Sequence, residues 1–197
     1  MQILARDNGW LGLFQAMACS CQIVVEGVQE AEAVKLIAAF ASEVSRIERK
    51  YSRYRADSVL SLINAQAGHI TPIDAETAQL LQLAHLLWQL SAGRFDCSSG
   101  ILRQVWRFTP DGVLPSPQQV AGLLPFIGWD RVQLNADSIL LPLQMQLDFG
   151  GIGKEYAADR CAMLAQHWGI EHCLINLGGD IASAGKCVNG AWWQVGI

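Results

Sequence analysis

Between Asp148 and Lys154 the chain sets three glycines, Gly150, Gly151 and Gly153, where an apolar run (MQLDF) meets an amphipathic one. No other stretch restricts the backbone so tightly, because glycines in this density mark a sharp turn or a close approach. The spacing predicts a strand over 145–149, a tight turn, and a helix from Lys154 presenting Ile152, Tyr156, Ala157, Cys161, Leu164 and Trp168 on one side. After Gly169 come a strand-like CLINL, the turn Gly178-Gly179-Asp180, and IASAG. The helix start has the chemistry of an anion site, with free N–H groups, a partial positive charge, and Lys154 in the first turn. Two known phosphate signatures fail. A P-loop needs Ser or Thr where Glu155 stands, and a dinucleotide fingerprint begun at Gly151 needs Gly or Ala where Tyr156 stands. From the local pattern, an anion cradle and a tight turn with a solvated Lys154 are equal readings.

Upstream, CQIVVE (21–26) reads as a strand and Glu30 to Tyr51 as a helix, with Ala33, Val34, Ile37, Phe40, Ala41, Val44, Ile47 and Tyr51 at helical spacing. Asp57 and Ser58 offer a cap for a short helix through Ile63, and Asp74 opens another that Gly93 closes. Ser98 to Phe108 fits a short helix, and Pro117 starts the segment ending at Gly128. Short strand-like pieces come next over 130–134 and 138–141, and WWQVGI reads as a last strand ending on Ile197. With 197 residues the chain suits one domain, 1–197. A strand that closes the sequence with no partner after it leads us to expect the N-terminal part of a longer chain.

Composition removes several classes. A net charge of −4 gives no pull toward nucleic acid, and 51% hydrophobic residues at a mean hydropathy of +0.22 indicate a globular core. The longest apolar run, Leu80 to Leu90, falls short of the ~20 residues of a membrane helix and is broken by Gln82, His85 and Gln89. The start, Met1 to Gly12, lacks the basic and apolar regions of a signal peptide, and the six scattered cysteines read as reduced thiols, so a cytoplasmic location is expected. Cys19 and Cys21 would share a face on a strand. The four histidines have no metal-ligand spacing, and there is no HExxH and no GxSxG.

Three further groups carry chemistry. RIERKYSRYRADS (46–58) interleaves basic residues with Tyr51 and Tyr54 at the end of the long helix; it reads as a solvated, dipole-favoured face or as an aromatic platform for a planar ring that bears phosphates. In GRFDCSSG (93–100), Asp96 either caps the next helical turn or accepts a hydrogen bond from a heterocycle. Asn176 to Asp180 is a glycine bulge or a backbone-lined ligand wall.

Taken in order, these pieces resemble the FAD:protein FMN transferase family, also called ApbE. The resemblance runs from Met17 to the end. It rests on Met17-Ala18-Cys19, on SRYRADS followed by Asn64, and on GRFDCSSGILRQVWRF. It continues through IGWDRV, LDFGGIGKEYAADR, INLGGDIASAG and WQVGI. Each piece is weak alone, and seven in order are specific. The family implies an α+β fold, a twisted and largely antiparallel sheet with packed helices.

It also implies roles. Met17 and Tyr54 would contact the flavin, Arg94, Phe95 and Asp96 would line the FAD pocket, and Asp148 and Lys154 would touch FAD. Gly151 would offer its carbonyl to magnesium, a hard cation suited to oxygen ligands. The implied reaction moves FMN from FAD to a Thr or Ser hydroxyl of an acceptor flavoprotein, such as a subunit of a membrane redox pump, with release of AMP. Relatives include exported lipoproteins, which sets a periplasmic or membrane-anchored location beside the cytoplasmic one. Two departures stand out: Met-Ala-Cys replaces the usual Met-Gly-Thr, and Glu155 follows Lys154 where glycine is commoner. The family's later segment, with a His-containing motif and the Asp and Thr side chains of the metal site, is absent. The competing expectations are an FAD-binding module without transferase activity and a remnant that binds no ligand.

Overall fold

The computed structural model describes residues 1–106 and 112–196. The chain divides into two compact units, one formed by Met1–Lys50 with Ile152–Ile197, the other by Tyr51–Gly151. The fold is α+β, and all strand pairings within its sheets are antiparallel.

The first unit carries strands β1 (Gln2–Arg6), β2 (Gly9–Ala16) and β3 (Cys19–Glu26), helix α1 (Glu30–Tyr51, whose last residue falls in the second unit), helix α5 (Gly153–His167), and strands β7 (Cys173–Leu177) and β8 (Asp180–Ala184). Its five strands run in the order β1-β2-β3-β7-β8. β3 sits at the centre because both its neighbours bury apolar side chains with it: Ile23 and Val25 are fully buried, and Ile23 lies opposite Ile175. Helix α1 turns Ala33, Ile37, Phe40, Val44 and Ile47 inward, all without measurable exposure. This stripe makes the helix stable, since burying each large apolar side chain contributes roughly 1.5–3 kcal/mol. Ile37 reaches the sheet at Gly12, where a Cβ would come within 2.2 Å of its side chain. Only glycine fits there.

Helix α5 packs on β7 and β8 through a face that keeps Ile152, Ala157 and Cys161 of the expected one, all buried, and adds Ala158, Ala162 and Ala165. Ala157, Ala158, Cys161, Ala162 and Ala165 are buried, Tyr156 and Leu164 are half-buried, and Trp168 is 43% exposed while stacking on Phe40 at 5.5 Å. Small side chains let this helix approach the sheet closely, so the alanines, not the largest residues, mark its inner side.

The second unit carries α2 (Val59–Ala65), β4 (Ile70–Pro72), α3 (Ala75–Leu90), a 3₁₀ turn over Gly100–Gln104, α4 (Pro117–Ala121), and strands β5 (Gln133–Leu134) and β6 (Ser138–Leu140). The short sheet runs β4-β6-β5. Ser58 caps α2 by accepting from the Ser61 N–H, and Asp74 caps α3 by accepting from that of Thr77. Ser116 and Gln119 close a reciprocal capping box around α4, with Pro117 in its first turn. Leu60, Ile63, Leu80, Leu81, Ile139, Leu141, Met145 and Leu147 form the core.

Several expectations are corrected. Residues 145–149 form no strand: the Leu147 backbone bonds the Asn64 side chain in both directions, at 2.7 and 3.0 Å, and only Gln146 makes a bridge, to Ser99. The strand expected over 130–134 shrinks to Gln133–Leu134 because Trp129–Arg131 turn as a 3₁₀ helix. WWQVGI is not a strand over 192–196; the Trp193 indole donates to the Gly185 carbonyl, and Lys186 sits 4.2 Å above the Trp192 ring. The helix expected over 98–108 is the short 3₁₀ turn, and the Arg107–Phe108 end of its motif and Ile197 lie outside the described residues. Strands β1, β2 and β4 were not among the expected elements.

Candidate functional site

In the first unit, two hairpin turns lie at one end of the sheet. Between β2 and β3, Met17 and Ala18 both take left-handed backbone (φ 51° and 57°), and the Met17 N–H donates to Glu48 Oε1 at 2.8 Å. Such a two-residue turn usually uses Asn-Gly, so the carboxylate of α1 fastens one that its own residues disfavour. Between β7 and β8, Gly178 (φ 68°) lies against Cys19, whose sulfur would be 2.8 Å from any added Cβ. Asn176 accepts from the Gly179 N–H at 2.8 Å. The start of α5 belongs to the same end: Lys154 Nζ lies 3.7 Å from Asp180 Oδ2, both partly exposed. The N-cap residue, Ile152, has no side-chain bond to the first turn of the helix.

Cys19 and Cys21 share a face, as their spacing predicts, with sulfurs 3.8 Å apart. Burial, and then the neighbouring Cys19 sulfur, push the Cys21 thiol up to about 12.

In the second unit, Tyr54 is 77% exposed; the Arg103 guanidinium stands 5.7 Å from its ring centre and donates to its hydroxyl. A ring held on one side by a cation keeps its orientation. Asp148 accepts from Arg53 at 2.6 Å through Oδ2 and from the Gly150 N–H at 2.9 Å through Oδ1. Gly151 lies against Phe95, whose ring would be 3.1 Å from a Cβ there. Thus Asp148, Gly151 and Phe95 come together, and the Asp148 N–H adds a bond to the Cys97 carbonyl at 2.8 Å.

Asp96 serves the loop itself. One oxygen accepts from the Ser98 N–H and hydroxyl, and the other from the Trp129 N–H. Arg94 donates to the Ser91 carbonyl at the end of α3.

The basic stretch 46–58 is not a patch of loose cations: Arg46 pairs with Glu43, Arg53 with Asp148 and Arg55 with Asp57. Sequence reasoning passed over Glu48, Arg53 and Arg103. A cation adjoining the platform tyrosine was the only signal for Arg53. Among the described residues no group of three His, Cys, Asp or Glu side chains could hold a metal ion. Magnesium keeps several waters and is held by one or two carboxylates with substrate phosphates; a lone carbonyl at Gly151 brings no carboxylate, so by itself it does not fit that ion.

Fold and turns together define an α+β protein with backbone-lined hairpin turns, an aromatic platform and a glycine-opened, lysine-bearing helix start. The chain belongs to the ApbE family, whose model matches residues 17–197. It is 29% identical over 162 residues to the FAD:protein FMN transferase of Haemophilus influenzae, covering 77% of this chain and 46% of that protein. It is 28% identical over 192 residues to one from Klebsiella pneumoniae, covering 93% and 55%. The chain therefore spans about half the length of these curated relatives. The ApbE protein of Thermotoga maritima superposes with a TM-score of 0.82 at 26% identity over 94% of this chain and 60% of that one. The flavin transferase ApbE of Vibrio cholerae gives 0.84 at 23% identity, over 95% and 62%, which supports the fold. No described helix is long and apolar enough to cross a membrane.

Proposed function

We propose that this chain binds FAD and belongs to a protein that transfers FMN from FAD to a Thr or Ser hydroxyl of an acceptor flavoprotein. The observation that carries the reading is the family match across 17–197, which includes every residue assigned to the ligand. In the first unit, Met17 would meet the flavin from a turn fastened by Glu48, and Lys154 would supply positive charge at a helix start suited to a phosphate. In the second, Tyr54 would offer its exposed ring to the isoalloxazine, and Phe95 with Asp148 would line the dinucleotide, with Arg94 and Asp96 holding the surrounding loop.

In the transfer itself, the acceptor oxygen bonds to the FMN-side phosphorus, the phosphoanhydride bond to AMP breaks, and the hydroxyl proton is lost. The magnesium that the family resemblance implies enters no step here. A membrane redox-pump subunit is the acceptor we would try first.

FAD titration followed by fluorescence quenching tests binding. Saturable quenching is expected, with Tyr54→Ala and Lys154→Ala each weakening affinity about tenfold, the size of one lost stacking or charge contact. No saturation in the unsubstituted chain would remove the flavin reading. Incubation with FAD, magnesium salt and a Thr-bearing acceptor should then yield AMP and a flavinylated product.

A second reading is an FAD-binding module without transfer, which the same ligand-facing residues would serve. Saturable binding with no AMP would select it.

A further inference from the structure

Arg53, within the 46–58 stretch, reaches residues far along the chain. It directly precedes Tyr54. Its Nη1 donates to Asp148 Oδ2 at 2.6 Å and to the Gly100 carbonyl at 3.2 Å. The pair is largely shielded, with 16% of the Arg53 side chain and 25% of the Asp148 side chain exposed. The other Asp148 oxygen takes the Gly150 N–H, so the carboxylate is held at both ends, and one of those holds is the glycine turn. A charge-assisted bond this short, largely out of water, is strong and directional, and removing its cation leaves a carboxylate without compensation.

We propose that Arg53 is a positioning residue for dinucleotide binding. It fixes and neutralises Asp148, keeping the Asp148–Gly151 turn in shape and acceptable to an anionic pyrophosphate, while anchoring the backbone next to Tyr54. The proposal rests on the FAD reading above. Its physical content is selectivity for charge. With Arg53 absent, Asp148 repels phosphates but not an uncharged flavin, so the loss scales with the ligand's phosphates.

The test compares FAD with riboflavin, which has the same ring system and no phosphate, on the 197-residue chain. Arg53→Ala is expected to weaken FAD about tenfold and riboflavin less than about twofold. In an Asp148→Asn background, where no carboxylate charge needs compensation, the same substitution should change FAD affinity less than about threefold. Arg53→Lys should recover part of the FAD affinity. In the ligand-free chain, Arg53→Ala should speed hydrogen exchange of the Gly150 amide.

An equal loss for both ligands would mean a merely structural role and overturn the proposal. So would an undiminished loss in the Asp148→Asn background, which would put Arg53 on the ligand itself, and so would unchanged Gly150 exchange. If the unsubstituted chain binds no FAD, the flavin reading fails. Gly150 exchange then still decides whether Arg53 holds the turn.

Discussion

Asn64 bonds the Leu147 backbone twice, accepting from its N–H and donating to its carbonyl, and so supplies to residues 145–149 what a neighbouring strand would supply in a sheet. Apolar alternation in MQLDF is real, and Met145, Leu147 and Phe149 are all buried. The alternation reports which side chains face inward; it does not report what the backbone bonds to. That is why a strand was expected where there is an extended segment tied to one side chain. Asn64→Ala strands a buried donor and a buried acceptor at once, and should lower unfolding free energy by about 2–4 kcal/mol in urea titration. Asn64→Asp keeps the acceptor for Leu147 but turns a carboxylate oxygen toward its carbonyl, and its stability is expected to fall between those of Asn64→Ala and the unsubstituted chain. Arg53 and Glu48 were illegible for a related reason, since their partners lie 95 and 31 residues away in the chain.

At the scale of the element, the helices were the legible part. Helix α1 starts and stops where its apolar spacing says, and Ser58 and Asp74 cap the next two, each with its oxygen on the expected amide. These are local effects, set within four residues, and sequence carries them directly. Replacing Asp74 by Ala removes the bond to the Thr77 N–H and a favourable charge at the start of α3, and should cost about 1 kcal/mol in the same titration. Strands fared worse. β1 and β2 are joined at Asp7-Asn8, ahead of Gly9, a turn signal that was passed over, and the turn joining β2 to β3 uses Met17 and Ala18 where Asn-Gly would have announced a hairpin. β4 is three residues long and ends on a proline. Within the candidate site, the glycine turn and Lys154 could be read locally. The engagement of Asp96 by its own loop could not, because its partner Trp129 is set by tertiary structure.

Over the whole molecule, the buried thiols set a limit on alkaline stability. Burial raises Cys21, Cys161 and Cys173 to about 12 and pushes Cys97 higher still, from an ordinary value near 9.0. Folding thus keeps these thiols protonated where the unfolded chain would release the proton. Below about pH 9 both states hold it and stability is unaffected; above that, the unfolded state alone gains by ionising, so stability falls as pH rises toward 12. Each such thiol contributes a slope of up to about 1.4 kcal/mol per pH unit. Denaturation midpoints measured from about pH 7 to 11 should be flat and then decline, and Cys173→Ala should make the decline shallower.

The order of the chain has a consequence for its synthesis. The central pairing of the larger sheet joins Ile23 to Ile175, and the whole second unit is encoded between them. At ribosomal speeds of about 5–20 residues per second, β3 waits roughly 8–30 seconds for β7 to emerge. Through that interval Ile23, Val24 and Val25 present an unpaired, apolar margin to their surroundings, open to a nascent copy on the same polysome or to a chaperone that binds extended segments.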